Sequence, residues 1–106
     1  MQDGTYRVVG EGFAKRLELV EDLYTGYWVA STSVEHEDEY TDYSETAWYV
    51  VKKTGCEFVG VWTANKKTYV DASHYVENIY QAIALGQYWK QYAIWDIKHN
   101  SEIWVR

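Results

Sequence analysis

Short runs of β-branched and aromatic residues recur along this chain, and one stretch alone carries a sustained apolar stripe of helical period; that imbalance sets the fold class. Thr5–Gly10 is bracketed by Gly4, Gly10 and Gly12, Tyr27–Val34 is β-branched, aromatic or small throughout, and Ala47–Lys53 ends at Thr54-Gly55. Cys56–Thr63 runs through the polar turn Ala64-Asn65-Lys66-Lys67 into Thr68–Asp71, and Gln91–Ile97 turns at residues 98–101 into Glu102–Val105. Runs of this composition bounded by turn formers read as strands, here in an antiparallel meander. The exception is Val76, Ile79, Tyr80 and Ile83, at i, i+3, i+4 and i+7, with Ala82, Ala84 and a late Gly86. This spacing predicts a helix over about residues 73–86, capped by Asp71 or Ser73. Residues 13–24 carry two periods at once: Phe13, Leu17, Val20 and Tyr24 fall on one helical face, while Leu17 and Leu19 alternate as in a strand. The helical reading is preferred there. The expected architecture is α+β, an antiparallel sheet of about five or six strands with the 73–86 helix packed on it and a second helix at about 13–24.

At 106 residues without a proline or a low-complexity stretch, the chain fits one domain. The single Cys56 cannot form an internal disulfide, which suits a reducing compartment. Met1-Gln2-Asp3-Gly4 does not begin a secretory leader, and the longest apolar run, Ala47–Val51, is far short of the roughly 20 residues of a membrane span. A cytoplasmic location without membrane contact is the expectation.

Charge is distributed unevenly. Between Leu17 and Val51 thirty-five residues contain nine carboxylates and no Lys or Arg. Residues 1–51 carry a net −8 and residues 52–106 a net +2. A local anionic field steers cationic partners and repels nucleic acid and anionic membranes. The densest part is residues 34–46, from which Glu35, Glu37, Asp38, Glu39, Asp42 and Glu45, interleaved with Tyr40 and Tyr43, form the first candidate binding site. As an extended strand this segment would set Glu35, Glu37 and Glu39 on one face about 6.6 Å apart, where they could stand in for successive phosphates. As a helix it would align Glu35, Asp38, Asp42 and Glu45 opposite His36, Tyr40, Tyr43 and Ala47. A solvated hairpin tip is the competing explanation. The absence of a nearby base to neutralise the cluster favours a cationic partner, namely a basic protein, including the class of nucleic-acid-binding proteins whose basic groove such a cluster could occupy.

The apolar content is unusual in kind, with six Trp and eleven Tyr against two Phe. Trp62, Tyr69, Trp89, Tyr92 and Trp95 form a second candidate site, a pocket walled by rings that could hold a nucleotide, a sugar or another flat ligand. A Trp/Tyr-rich core would use the same residues. Direct nucleic-acid binding by stacking also needs a basic groove, which a chain of net charge −6 does not offer.

Catalytic and metal-binding signatures are weak. His74 and Glu77, and likewise His99 and Glu102, have the His-x-x-Glu spacing, but two such pairs do not make a bundle metal centre. No Gly lies between Gly26 and Gly55, so the acidic segment lacks the glycine of a calcium-binding EF-hand loop. Glu57 beside Cys56 opposes a reactive thiolate. Neither a cofactor nor a metal is expected, and catalysis is not.

Gly60-Val61-Trp62-Thr63, Tyr69-Val70-Asp71 and Ala93-Ile94-Trp95-Asp96 resemble stretches of short reading frames from bacteriophages and mobile elements. By that loose analogy a small acidic protein would act as a phage-type anti-defence inhibitor or DNA mimic, blocking the basic channel of a host nucleic-acid enzyme. The leading expectation is therefore a non-catalytic acidic binding protein, with a small-ligand module built on the aromatics as the alternative.

Overall fold

The computed structural model describes residues 3–36 and 43–106. Its strands are β1 (Gly4–Val9), β2 (Arg16–Leu19), β3 (Tyr27–His36), β4 (Phe58–Ala64), β5 (Lys67–Val76), β6 (Ala93–Asp96) and β7 (Ser101–Trp104); its helices are α1 (Ser44–Thr54) and α2 (Ile79–Tyr88). The α+β class and the antiparallel sheet are as expected, with seven strands in place of five or six, in the order β2-β1-β4-β5-β3-β6-β7. Every neighbouring pair is antiparallel. It follows that β3 and β4 run parallel with β5 between them, joined by α1, and that β5 and β6 run parallel with β3 between them, joined by α2. Two interleaved split β-α-β units of this kind make the ferredoxin-like connectivity, here widened by the β1–β2 hairpin on one edge and β7 on the other.

Three local expectations are corrected. Residues 13–24 do not form a helix: Leu17 and Leu19 pair with Val8 and Tyr6 across the β1–β2 hairpin. Their alternation, not the helical spacing, describes the buried face, and Gly10 and Gly12 at positive φ (86° and 57°) supply the connection. The second helix instead occupies residues 44–54, where a strand was expected. A continuous apolar run is equally at home in a buried helix, and burial of Ala47 and Val50 beside Tyr43 decides it. Glu45 in its first turn, Lys52 and Lys53 in its last, and Gly55 in the left-handed region at φ 69° all suit a helix. The third correction is the start of α2. β5 continues to Val76, paired with Tyr27, and Asn78 caps the helix by accepting from the Tyr80 and Gln81 amides at 2.9 and 3.1 Å. With the start moved, Tyr80 leaves the buried stripe and is 79% exposed.

Both helices lie on one side of the sheet. Under α1 the core is Tyr6, Tyr43, Ala47, Val50, Cys56, Val59, Val61, Val70 and Ala72; under α2 it is Val29, Val76, Ala82, Ile94 and Val105. Gly86 lets α2 approach β6 and the chain end, since a Cβ there would stand 2.9 Å from Ile94 Cγ2 and 3.2 Å from Val105 Cγ2. A β-bulge shifts the β3–β5 register between Ala30 and Thr32. Tyr27 and Val29 face the helices before it, and Thr32 and Val34 after it.

Candidate functional site

The other side of the sheet carries no helix. Register and the alternation of side chains place Trp62, Tyr69 and Glu35 in one row across β4, β5 and β3, and Gly60, Asp71 and Ser33 in the next. Phe58 and Ser73 follow, and then Tyr75, Trp28 and Trp95 across β5, β3 and β6. Trp62 and Tyr69 stack at 4.4 Å with 18° between their planes. Trp28 meets Phe58 at 4.8 Å and the edge of Tyr75 at 5.5 Å. Trp62 and Trp95 remain 42% and 37% exposed. The rings stand side by side on an open sheet surface.

Between the two aromatic groups lies a polar centre. Asp71 is 8% exposed, and its carboxylate accepts from Trp62 Nε1 at 2.8 Å and from Ser33 Oγ at 2.5 Å. Burial pushes its pKa above the ordinary carboxylate value, against the lowering effect of both hydrogen bonds. Gly60 leaves a notch beside it, since a Cβ there would lie 3.0 Å from Ser73 Oγ and 3.7 Å from Asp71 Oδ2. The charges near this face are largely paired: Lys67 Nζ meets Glu35 at 2.7 Å, Arg16 meets Glu18 at 2.7 Å, and Arg7 meets Asp22 at 3.2 Å. The Arg7 guanidinium also lies 5.6 Å over the Phe58 ring.

The acidic candidate site is not brought together among the described residues. Glu37, Asp38, Glu39, Tyr40 and Asp42 lie outside them. Glu35 is neutralised by Lys67, which arrives from the second half of the chain. Tyr43 is 6% exposed in the core under α1, and Glu45 is exposed in the first turn of that helix. The expectation that no base is at hand to neutralise the cluster of residues 34–46 is thus corrected at Glu35.

The aromatic candidate set divides. Trp62, Tyr69 and Trp95 share the helix-free face. Trp89 lies on the opposite side, its ring 4.6 Å from that of His74, and Tyr92 is exposed beneath the Arg106 guanidinium at 5.4 Å. Trp28, Phe58 and Tyr75 belong to the face and were missed. The signal for them was strand alternation, which runs unbroken from Trp62 to Phe58 and from Tyr69 to Tyr75, the latter hidden by the helix expected from residue 73, and which the bulge after Ala30 interrupts only in the strand of Trp28.

His74 Nε2 is 2.8 Å from Ser31 Oγ at that bulge, and burial holds its pKa below the ordinary histidine value. His99 Nδ1 is 2.8 Å from Asp96 Oδ2, and this hydrogen bond is the main cause that holds the Asp96 carboxyl low. His74 and Glu77 do not share a helix, because His74 belongs to β5. Among the described residues no three metal-ligating side chains converge, and no helix is long and apolar enough to cross a membrane. Compared with protein-family models, with curated proteins and with solved structures, the chain matches none.

Proposed function

We propose that the protein is a non-catalytic binding protein that holds a basic protein partner against the helix-free face of its sheet. The observation that carries this reading is the concentration of Trp28, Phe58, Trp62, Tyr69, Tyr75 and Trp95 on a surface that neither helix covers. Contact surfaces are enriched in Trp and Tyr at the centre and polar at the rim. Here two aromatic groups flank Asp71, and the ion pairs of Glu35, Glu18 and Asp22 lie at the rim on the β1–β2 side and at the β3–β5 end. The molecule measures 37 × 32 Å in its two longer dimensions, which accommodates a patch of about 800 Å² per partner, the size of a standard interface.

Charge selects the partner class. A ferredoxin-like sheet with exposed rings can stack nucleic-acid bases when cations line it. On this face Arg7 and Lys67 are each tied to a carboxylate, and the chain as a whole carries −6. A cationic protein surface is favoured by that field, and phosphate is not. A nucleic-acid-binding protein is one such partner, and covering its basic groove would inhibit it.

The test is selection from a random peptide display library at low and high salt, on the wild-type chain and on Tyr69→Ala/Trp95→Ala. Basic sequences enriched on the wild type, depleted on the variant and weakened by salt support the reading. Equal enrichment on both proteins, or enrichment of acidic sequences, refutes it.

A further inference from the structure

The outer edges of the sheet, β2 and β7, do not depend on the reading of the aromatic face, and they differ in kind. In an antiparallel ladder the residues that exchange hydrogen bonds alternate along each strand. Val105 N donates to Tyr92 O at 2.9 Å, so in the register Ile94–Ile103 and Asp96–Ser101 the amides and carbonyls of Ser101, Ile103 and Val105 turn inward to β6. Those of Glu102 and Trp104 turn outward, where no further strand follows. Nothing in the sequence of β7 blunts this edge beyond its shortness: it carries neither proline, lysine nor bulge. Glu102 and Trp104 are both exposed, the indole at 68%.

We propose that β7 pairs with β7 of a second copy of this chain about a two-fold axis at Ile103. A two-fold interface requires a self-complementary surface, and this centre pairs both outward residues within the strand. Glu102 exchanges two hydrogen bonds with Trp104 of the second copy, and Trp104 exchanges two with that copy's Glu102. Apolar Ile103 stands opposite itself on the helix side, and on the other side each indole stands opposite a carboxylate, so no like charges meet directly. β2 does not meet this condition. Val20 N donates to Thr5 O at 2.8 Å, which leaves Leu17 and Leu19 turned outward. Pairing both about one axis sets Glu18 opposite itself, and like charges directly opposite are destabilising.

The axis is perpendicular to the sheet, so both helix-free faces emerge on the same side of one continuous sheet. The row Tyr75, Trp28 and Trp95 runs on to Glu102, and Trp104 of the second copy takes the next place in it. Each copy thereby contributes an indole to the other's row.

Sedimentation velocity of the full chain from about 10 μM to about 1 mM, a range suited to an interface below standard size, reads the association. The wild type should pass from monomer to dimer. Glu102→Pro removes an outward N–H that the sheet does not use, and Trp104→Glu sets a carboxylate opposite Glu102 of the second copy. Each should weaken the dimer at least about tenfold, with the far-ultraviolet circular dichroism of the monomer retained. Glu102→Lys/Trp104→Glu sets opposite charges across the axis and should restore association, and Tyr69→Ala should dimerise as the wild type does. A chain that stays monomeric throughout, species larger than a dimer, a dimer that both single edge variants leave unchanged, or one that Tyr69→Ala abolishes overturns the proposal.

Discussion

Trp62 Nε1 donates to Asp71 Oδ2 at 2.8 Å from one strand away, so an indole of the exposed face is held by a carboxylate that is itself nearly buried. Ser33 Oγ satisfies the other oxygen. Two neutral donors hold Asp71, and no cation among the described residues does. The surface thus presents a ring in a fixed orientation, and an acid whose charge is costly to keep.

Stability should reflect that cost. The folded-state pKa of Asp71 is raised above 3.8, so at pH values between the two the folded chain keeps a proton that the unfolded chain releases. Asp71 therefore favours folding most below 3.8, and this contribution falls away as pH rises through the folded-state value. In denaturant titrations from neutral pH downward, the wild type should gain stability relative to Asp71→Asn. An unchanged difference across that range contradicts the assignment.

His74 acts in the opposite sense. Its folded-state pKa is depressed below 6.5 by burial, so its neutral ring supports folding above 6.5 and this support is lost as pH falls through the folded-state value. NMR titration should place the His74 midpoint below 6.5, and His74→Gln should flatten the corresponding acid loss.

Core and surface valuations are separable. Val59→Ala and Val70→Ala remove methyl groups from fully buried positions and should each cost about 1–3 kcal/mol in denaturant unfolding. Trp104→Ala alters a ring that is 68% exposed and should change stability by less than about 0.5 kcal/mol.

Helix α2 offers two local tests. Asn78→Ala deletes the acceptor of two amide hydrogen bonds and should cost about 1 kcal/mol. Gly86→Ala would gain up to about 1 kcal/mol of helix propensity in isolation, yet its methyl would press on Ile94, so thermal melting should show net destabilisation.

Much of the fold was legible where the signal is local. The β4–β5 hairpin follows from two β-rich runs around a polar turn, in which Asn65 and Lys66 both take positive φ (54° and 63°). Residues 16–19 and 44–54 were not legible, because pairing of Leu17 with Val8 and burial of Val50 under the crossover are decided by distant partners. The site follows the same division. Trp62, Tyr69 and Trp95 could be singled out as a set, but Trp28 joins them only through its register with Tyr75 and Trp95. Neutralisation of Glu35 by Lys67 depends on strands far apart in sequence, and composition carries no trace of it.

Interleaving the two split units also orders events in time. β3 is flanked by β5 on one side and β6 on the other, so a strand made early in synthesis receives its second neighbour only when residues 93–96 have emerged. Until then one of its edges offers unpaired amides and carbonyls to any other extended chain. A truncation before Ala93 should aggregate instead of folding to a smaller sheet, and the long loop closures make slow, topology-limited folding the expectation for the intact molecule.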